Sequence, residues 1–396
     1  MLIIGIIAAV VLVAVTLANI AYTTAHPGGN HFVVGWAGTQ AFFADGTSPY
    51  SAEAAVRIQN AASWVTAPAE KETLWFVSPL YVIGLYAPFA LVKNYAAARG
   101  LWMTLLEVCL VSIPLLTFSL IRKRAPLWMI IGAILASVVS YHGIQPLLDG
   151  NAVIFFTVIL LLLIKAVDSG HDETAGILLA VATMSLQNTL LAALFIFIWA
   201  LRKQRKTTTT WFAGTLVLLV GFSVLLIPNW FVQELQAIIR LYGLIPAGSP
   251  GAFMAAAWGS IGLRFSIFLT VILAGLMLRE WIQAFNGNET RFLWCVFLTL
   301  TLSQWIGIPT KPGNFILLMP GILFSLTIFL SRWGDKGKRM VEGILGLLVI
   351  LPWLFVLILP AHSALVGLFL TIPLISVGLL YWTKWWAVGT VGGALD

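Results

Sequence analysis

Apolar residues in this chain run in long continuous blocks, and polar residues gather in the gaps between them. Twelve blocks can be drawn: 2–22, 74–92, 100–121, 127–142, 151–167, 174–200, 211–229, 259–279, 292–306, 315–331, 341–360 and 363–383. A helical span needs ~20 apolar residues, and a bilayer admits only helices or closed barrels. The blocks do not alternate, which excludes a barrel. The pattern therefore predicts an all-α, polytopic integral membrane protein of about twelve transmembrane helices, one transmembrane domain over 1–396. No Lys or Arg precedes the first block, which outruns the ~7–15 residues of a signal-peptide core. It reads as a permanent first span.

One hydrophilic interruption, 25–73, is much longer than a simple link between two spans. It carries His26-Pro27-Gly28-Gly29-Asn30-His31-Phe32, then Trp36, then Asp45-Gly46-Thr47-Ser48-Pro49-Tyr50. Phe32, Val33, Trp36, Phe42 and Phe43 recur at roughly helical spacing and stop at the Asp45-Gly46 breaker. That spacing predicts an amphipathic helix lying in the membrane interface. A second is expected over 51–65, opened by Ser51-Ala52-Glu53, with Tyr50, Trp64 and Trp75 as anchors at headgroup depth.

Composition agrees with the pattern. The hydrophobic fraction is 60% and the charged fraction 9%, with a mean hydropathy of +0.98; a soluble domain could not carry this. The two cysteines, Cys109 and Cys295, lie inside apolar blocks and have no zinc or iron–sulfur spacing. No P-loop, dinucleotide fingerprint or metal motif occurs, so neither a cofactor nor a metal is expected. The net charge of +7 comes from basic residues at helix ends, which gives no face for nucleic acid.

Those basic residues set a topology. Arg202-Lys203-Gln204-Arg205-Lys206 and the 332–339 cluster fall on the side of the amino terminus if all twelve blocks cross. Positive charge marks the cytoplasm, so both termini are expected there. The 25–73, 230–258 and 307–314 loops then face outward. Arg122-Lys123-Arg124 lands outside in this count, against the rule. The polar cluster of His142, Gln145, Asp149 and Asn151 lands inside.

Several short motifs follow one another in a fixed order. The chain has Asn30-His31-Phe32, Trp36, Gly46-Thr47-Ser48-Pro49-Tyr50, and Phe76-Val77-Ser78-Pro79-Leu80. It continues with Ala87-Pro88-Phe89, Trp102, Gly143-Ile144-Gln145 and Asn151, and ends with Pro309-Thr310-Lys311-Pro312-Gly313-Asn314 leading into Leu318-Met319-Pro320. This order resembles glycosyltransferase family 87, the polyprenol-phosphate-mannose-dependent mannosyltransferase relatives of the GT-C fold. The resemblance implies a GT-C-like membrane enzyme of the bacterial cell membrane, moving a mannose-like sugar from a polyprenyl phosphate at the outer face. Two features depart from it. His31 stands where the family's loop acid is expected, and Gln187-Asn188 where a Lys-Pro pair is common.

Transfer from a lipid-linked sugar needs a base on the acceptor hydroxyl and polar or cationic groups on the departing phosphate. His31 and Asp45 are the candidate bases. His31 has a suitable ordinary pKa of ~6.5, although a lone loop histidine is commonly a plain hydrogen-bonder. Asp45 before a glycine is also a normal turn residue. Trp36 and Tyr50 are candidate substrate contacts beside them. Arg240, Arg264, Lys311 and Asn314 are candidates for the phosphate and sugar, weighed against snorkelling anchors for the cations. Glu70-Lys71-Glu72 reads as a solvated face. Glu107 is the acid inside a block, and is expected to be functional or paired. Gln187, Asn188, Ser303 and Gln304 read as hydrogen-bond glue between helices.

Three readings stay open: an active glycosyltransferase, a catalytically inactive GT-C-like relative serving as a structural or lipid-binding subunit of an assembly, and a transporter. The few ionisable residues within blocks and the absence of repeated broken helices weigh against transport.

Overall fold

The computed structural model describes residues 2–63, 74–121, 123–244, 250–306 and 310–388, and every regular element among them is helical. The first block forms α1 (Leu2–Ala25), and the 25–73 interruption carries α2 (Asn30–Asp45) and α3 (Ala52–Ala61). Gly46 stops α2 in the left-handed region, at φ 63°. The N–H groups of Gly46 and Thr47 return to the carbonyls of Phe42 and Ala41. Ser51 starts α3, its hydroxyl accepting from the Ala54 N–H. A 3-10 turn (Leu80–Val82) leads into α4 (Ile83–Ala90), followed by α5 (Tyr95–Leu120), α6 (Leu127–Val139), α7 (Tyr141–Leu148) and α8 (Val153–Asp168). Then come α9 (Asp172–Ala182), α10 (Leu186–Arg202), α11 (Lys206–Leu226), α12 (Trp230–Leu244) and α13 (Pro250–Phe285). The chain closes with α14 (Glu289–Ser303), α15 (Met319–Ile358) and α16 (Ala361–Thr383).

The expected count of about twelve spans is not reproduced. Among the described residues seven helices are long and apolar enough to cross a bilayer, or eight if the α6–α7 pair, bent by 44°, is one span. The 74–92 block yields only Leu80–Ala90, roughly 17 Å of helix at ~1.5 Å per residue. The 151–167 and 292–306 blocks yield α8 and α14, of 16 and 15 residues. The 315–331 and 341–360 blocks are joined in α15, 40 residues interrupted by non-helical backbone at Gly334.

The 174–200 block also differs from a simple span. It is α9 and α10 joined by a 3-10 turn (Thr183–Ser185). Arg205, just past α10, pairs with Asp172 at 2.5 Å and donates to the Val167 carbonyl at 2.7 Å. A straight helix from 172 to 202 would be roughly 46 Å long, far beyond a side chain's reach. The segment therefore doubles back, with non-helical backbone at Ser185 (φ −126°, ψ 59°), so although its summed length puts it among the seven it is not one straight span.

The chain divides into two compact units. The first comprises Met1–Cys109, Gln145–Ala152 and Leu216–Pro246. Its centre is Phe32, fully buried and stacked on Trp102 at 5.7 Å, with Tyr86, Phe89 and Tyr95 around it. The apolar side of α2 is thus covered by protein. Close approach is possible because Gly35 presents no side chain: a Cβ there would lie 2.4 Å from the Tyr86 ring. Arg99, also buried, clasps the entry to α2, donating to the His26 carbonyl at 2.9 Å and the Leu148 carbonyl at 2.8 Å.

The second unit comprises Leu110–Ile144, Val153–Thr215 and Ala247–Asp396. Within it α8 and α14 are buried over most of their lengths, which suits helices shorter than a membrane is thick. Phe195, Trp281 and Phe292 join α10, α13 and α14 through their rings. Glu280, 1% exposed, takes both contacts of Lys384 at 2.6 Å, and Lys384 also lies over the Trp294 ring. A buried carboxylate is tolerated there because a cation accompanies it.

Candidate functional site

The first unit gathers the loop motifs. His31 opens α2, and its backbone N–H donates to the Asp149 carbonyl at 3.0 Å, with Phe32 bonding the same oxygen at 3.3 Å. The Gln145–Asn151 stretch, where the Gln145 amide bonds Asp149, therefore lies against the start of the first loop. The twelve-span count put that stretch in the cytoplasm, away from the loop. Two backbone hydrogen bonds and the Arg99 clasp bring the two segments together.

Trp36 and Tyr50 are built into the packing. The Trp36 indole N–H donates to the carbonyls of Phe89 and Val92 at 3.1 and 3.2 Å, which fastens α2 to the end of α4. Tyr50 is buried, donates to the Ser78 carbonyl at 2.7 Å and meets Phe76 edge-on. Burial raises its pKa, reinforced by the nearby carboxylate of Glu234 and by Tyr81. Asp45 forms an exposed ion pair with Arg57. Glu53, in the first turn of α3, has its carboxyl held below the usual range by its own backbone N–H and by the Ser51 hydroxyl.

The Gly46–Tyr50 turn docks on α12. The Ser48 hydroxyl donates to the Gln233 side chain at 2.5 Å, and the Tyr81 ring meets Trp230 at 6.0 Å. Arg240 lies further along α12, exposed, 5.3 Å from the centre of the Trp75 ring. The residue absent from the sequence reading is Glu234. It faces the turn, 6% exposed, without a hydrogen-bond or ion-pair partner among the described residues. Burial pushes its pKa up to about 7.

The other candidates belong to the second unit. Arg264 is exposed on α13 and Lys311 is exposed at the start of a 3-10 turn (Pro312–Leu318). Asn314 is buried and spent on structure: its amide donates to Thr310, whose hydroxyl donates to Gln304 at 2.8 Å. His142 bonds the Pro312 carbonyl at 2.7 Å and borders a cavity of about 20 Å³, room for one water and too small for a sugar. In the first unit Glu107 accepts a hydrogen bond from the Asn19 amide of α1 at 2.9 Å. Glu70, Lys71, Glu72, Trp64 and Arg122, and the 307–309 part of the late loop, lie outside the described residues.

A missed Glu234 has a plain cause. The 230–258 stretch reads as an outward loop from its position between apolar blocks, whereas α12 forms over Trp230–Leu244 and α13 begins at Pro250. On α12 Phe231 is 63% exposed and Glu234 is covered. No family model, curated protein or solved structure matches this chain.

Proposed function

We propose that the chain is a membrane glycosyltransferase that moves a mannose-like sugar from a polyprenyl-phosphate donor to an acceptor at the outer face of the cell membrane. The observation that carries the reading is the docking of the Gly46–Tyr50 turn, through Ser48 and Gln233, onto a helix that holds a buried, unpaired carboxylate. That turn is one of the several motifs whose order carries the family resemblance. A catalytic loop must be held firmly against groups that can move a proton and receive a phosphate.

The proposed orientation keeps both termini cytoplasmic. With Leu80–Ala90 too short to cross, residues 26–94 stay outside and α5 is the second crossing. Lys123 and Arg124 then fall in the cytoplasm, where the positive-inside rule wants them. With the bent α6–α7 pair and the short, protein-covered α8 each taken as a crossing, the doubling back of α9 and α10 leaves 168–172 and 203–206 on one side, also cytoplasmic. With α11, α13 and the short α14 taken as crossings, residues 227–244 and 310–318 come out on the outer side, with α12, Arg240 and Lys311.

A second reading, an inactive relative that binds lipid or scaffolds an assembly, is favoured by one specific observation. Trp36, Tyr50 and Asp45, three of the loop's candidate groups, are each engaged within the protein. The experiment is sugar transfer by the purified protein in lipid nanodiscs, from polyprenyl-phosphate-mannose and -glucose, with His31→Ala and Asp45→Asn beside it. Transfer by the wild type establishes the enzyme; loss in one folded variant assigns that residue a part. Donor binding without transfer moves the protein to the inactive reading.

A further inference from the structure

We propose that Glu234 is the proton acceptor of the transfer, working from the covered face of α12 beside Tyr50. The inference rests on the transferase reading and supplies what the loop lacks, since His31 replaces the expected acid and Asp45 is paired with Arg57.

The argument begins with the two stripes of α12. Trp230, Glu234 and Ala237 are buried, one turn apart, and face the first unit. Phe231, Leu235 and Ile239 are 63%, 49% and 63% exposed on the other side. A helix in water would show the opposite pattern, so the exposed stripe fits contact with lipid. The carboxylate is then turned away from lipid and into protein, where an ionisable group is costly unless it is paired or used.

Pairing does not account for it. Tyr50 is near enough to feel the Glu234 charge, Tyr81 packs on the same helix through Trp230, and Arg240 lies further along α12. The Tyr50 hydroxyl donates to the Ser78 carbonyl, and the Arg240 guanidinium sits over Trp75. Gln233, next in sequence, is bonded to Ser48 and Asn229. Tyr50, Gln233 and Arg240 are thus engaged elsewhere, and among the described residues none bonds Glu234. Its raised pKa leaves it part ionised at neutral pH, the condition in which a general base works best.

The step balances as one displacement. Glu234 takes the proton of the acceptor hydroxyl as that oxygen bonds the sugar's anomeric carbon. The bond from that carbon to the phosphate oxygen breaks, and its electron pair leaves with the polyprenyl phosphate. The proton ends on the Glu234 carboxyl and passes to water after product leaves.

The test compares wild type, Glu234→Gln and Glu234→Asp in nanodiscs, measuring transfer from polyprenyl-phosphate-mannose and -glucose between pH 5.5 and 8.5, with donor binding and thermal unfolding as controls. Glu234→Gln is expected to lose about 10²–10⁴-fold in transfer while binding donor normally, and Glu234→Asp to keep part of the rate with an acid limb in its pH profile. Wild-type transfer with Glu234→Gln within threefold of it overturns the assignment and leaves the transferase reading standing. A wild type that transfers from neither donor overturns both.

Discussion

At the scale of single residues, Glu234 ties the fold's energetics to its chemistry. Its folded-state pKa of about 7 lies above the ~4.3 of a free glutamate. A raised carboxyl pKa means that the folded state holds its proton more tightly than the unfolded chain does. The resulting stability is complete below pH ~4.3 and is lost as pH rises through about 7. Partial access to water screens the group and holds the loss to on the order of 1–3 kcal/mol. Thermal unfolding of the detergent-solubilised protein should therefore fall between pH 5 and 8, and Glu234→Gln should flatten that fall. Equal slopes in the two proteins would show that the carboxyl titrates in water-like surroundings. Little of this was legible beforehand. Asp45 and His31 draw attention by their motif positions, whereas Glu234 sits in an ordinary-looking amphipathic segment whose lipid-facing side cannot be told from a core-facing one by spacing.

At the scale of elements, the first loop is the best-read part of the chain. The aromatic spacing of α2, its stop at Asp45-Gly46 and the Ser51 cap of α3 are local signals, and local signals survive folding. The expected 51–65 helix ends earlier, at Ala61. What spacing could not reveal was the cover over α2, because Tyr86, Tyr95 and Trp102 arrive from distant sequence. Gly35 makes that cover testable. Adding one methyl at Gly35→Ala meets the Tyr86 ring at 2.4 Å, and overpacking of this kind costs about 1–3 kcal/mol. Gly84→Ala, on α4 with nothing within 4 Å, is the matched control and should be neutral or slightly stabilising. A lower unfolding temperature for Gly35→Ala alone places α2 and α4 in tight contact. Equal behaviour of the two variants would mean that α2 is not held against α4.

At the scale of the whole molecule, the apolar blocks were legible and the number of crossings was not. A block records that a segment avoids water; it does not record whether lipid or protein receives it. Leu80–Ala90, α8 and α14 are apolar but short, and the 172–202 segment closes on itself through Arg205. Both revisions change which side of the membrane certain loops occupy, and chemical labelling can read this. Cys109 and Cys295 are buried, so single cysteines introduced at exposed loop positions report against a quiet background. Lys93→Cys should react with a membrane-impermeant maleimide in intact cells, and Arg124→Cys only after permeabilisation. A count in which Leu80–Ala90 crosses reverses both results. Ser169→Cys and Gln204→Cys flank the α9–α10 segment and are exposed. If that segment is a hairpin, both should label only after permeabilisation. If it crosses, one of them labels in intact cells, and the Arg205–Asp172 pair could not form in the membrane. Four variants and one reagent thus decide whether the basic clusters all lie inside, and with them whether the first loop and α12 are exposed together at the outer face.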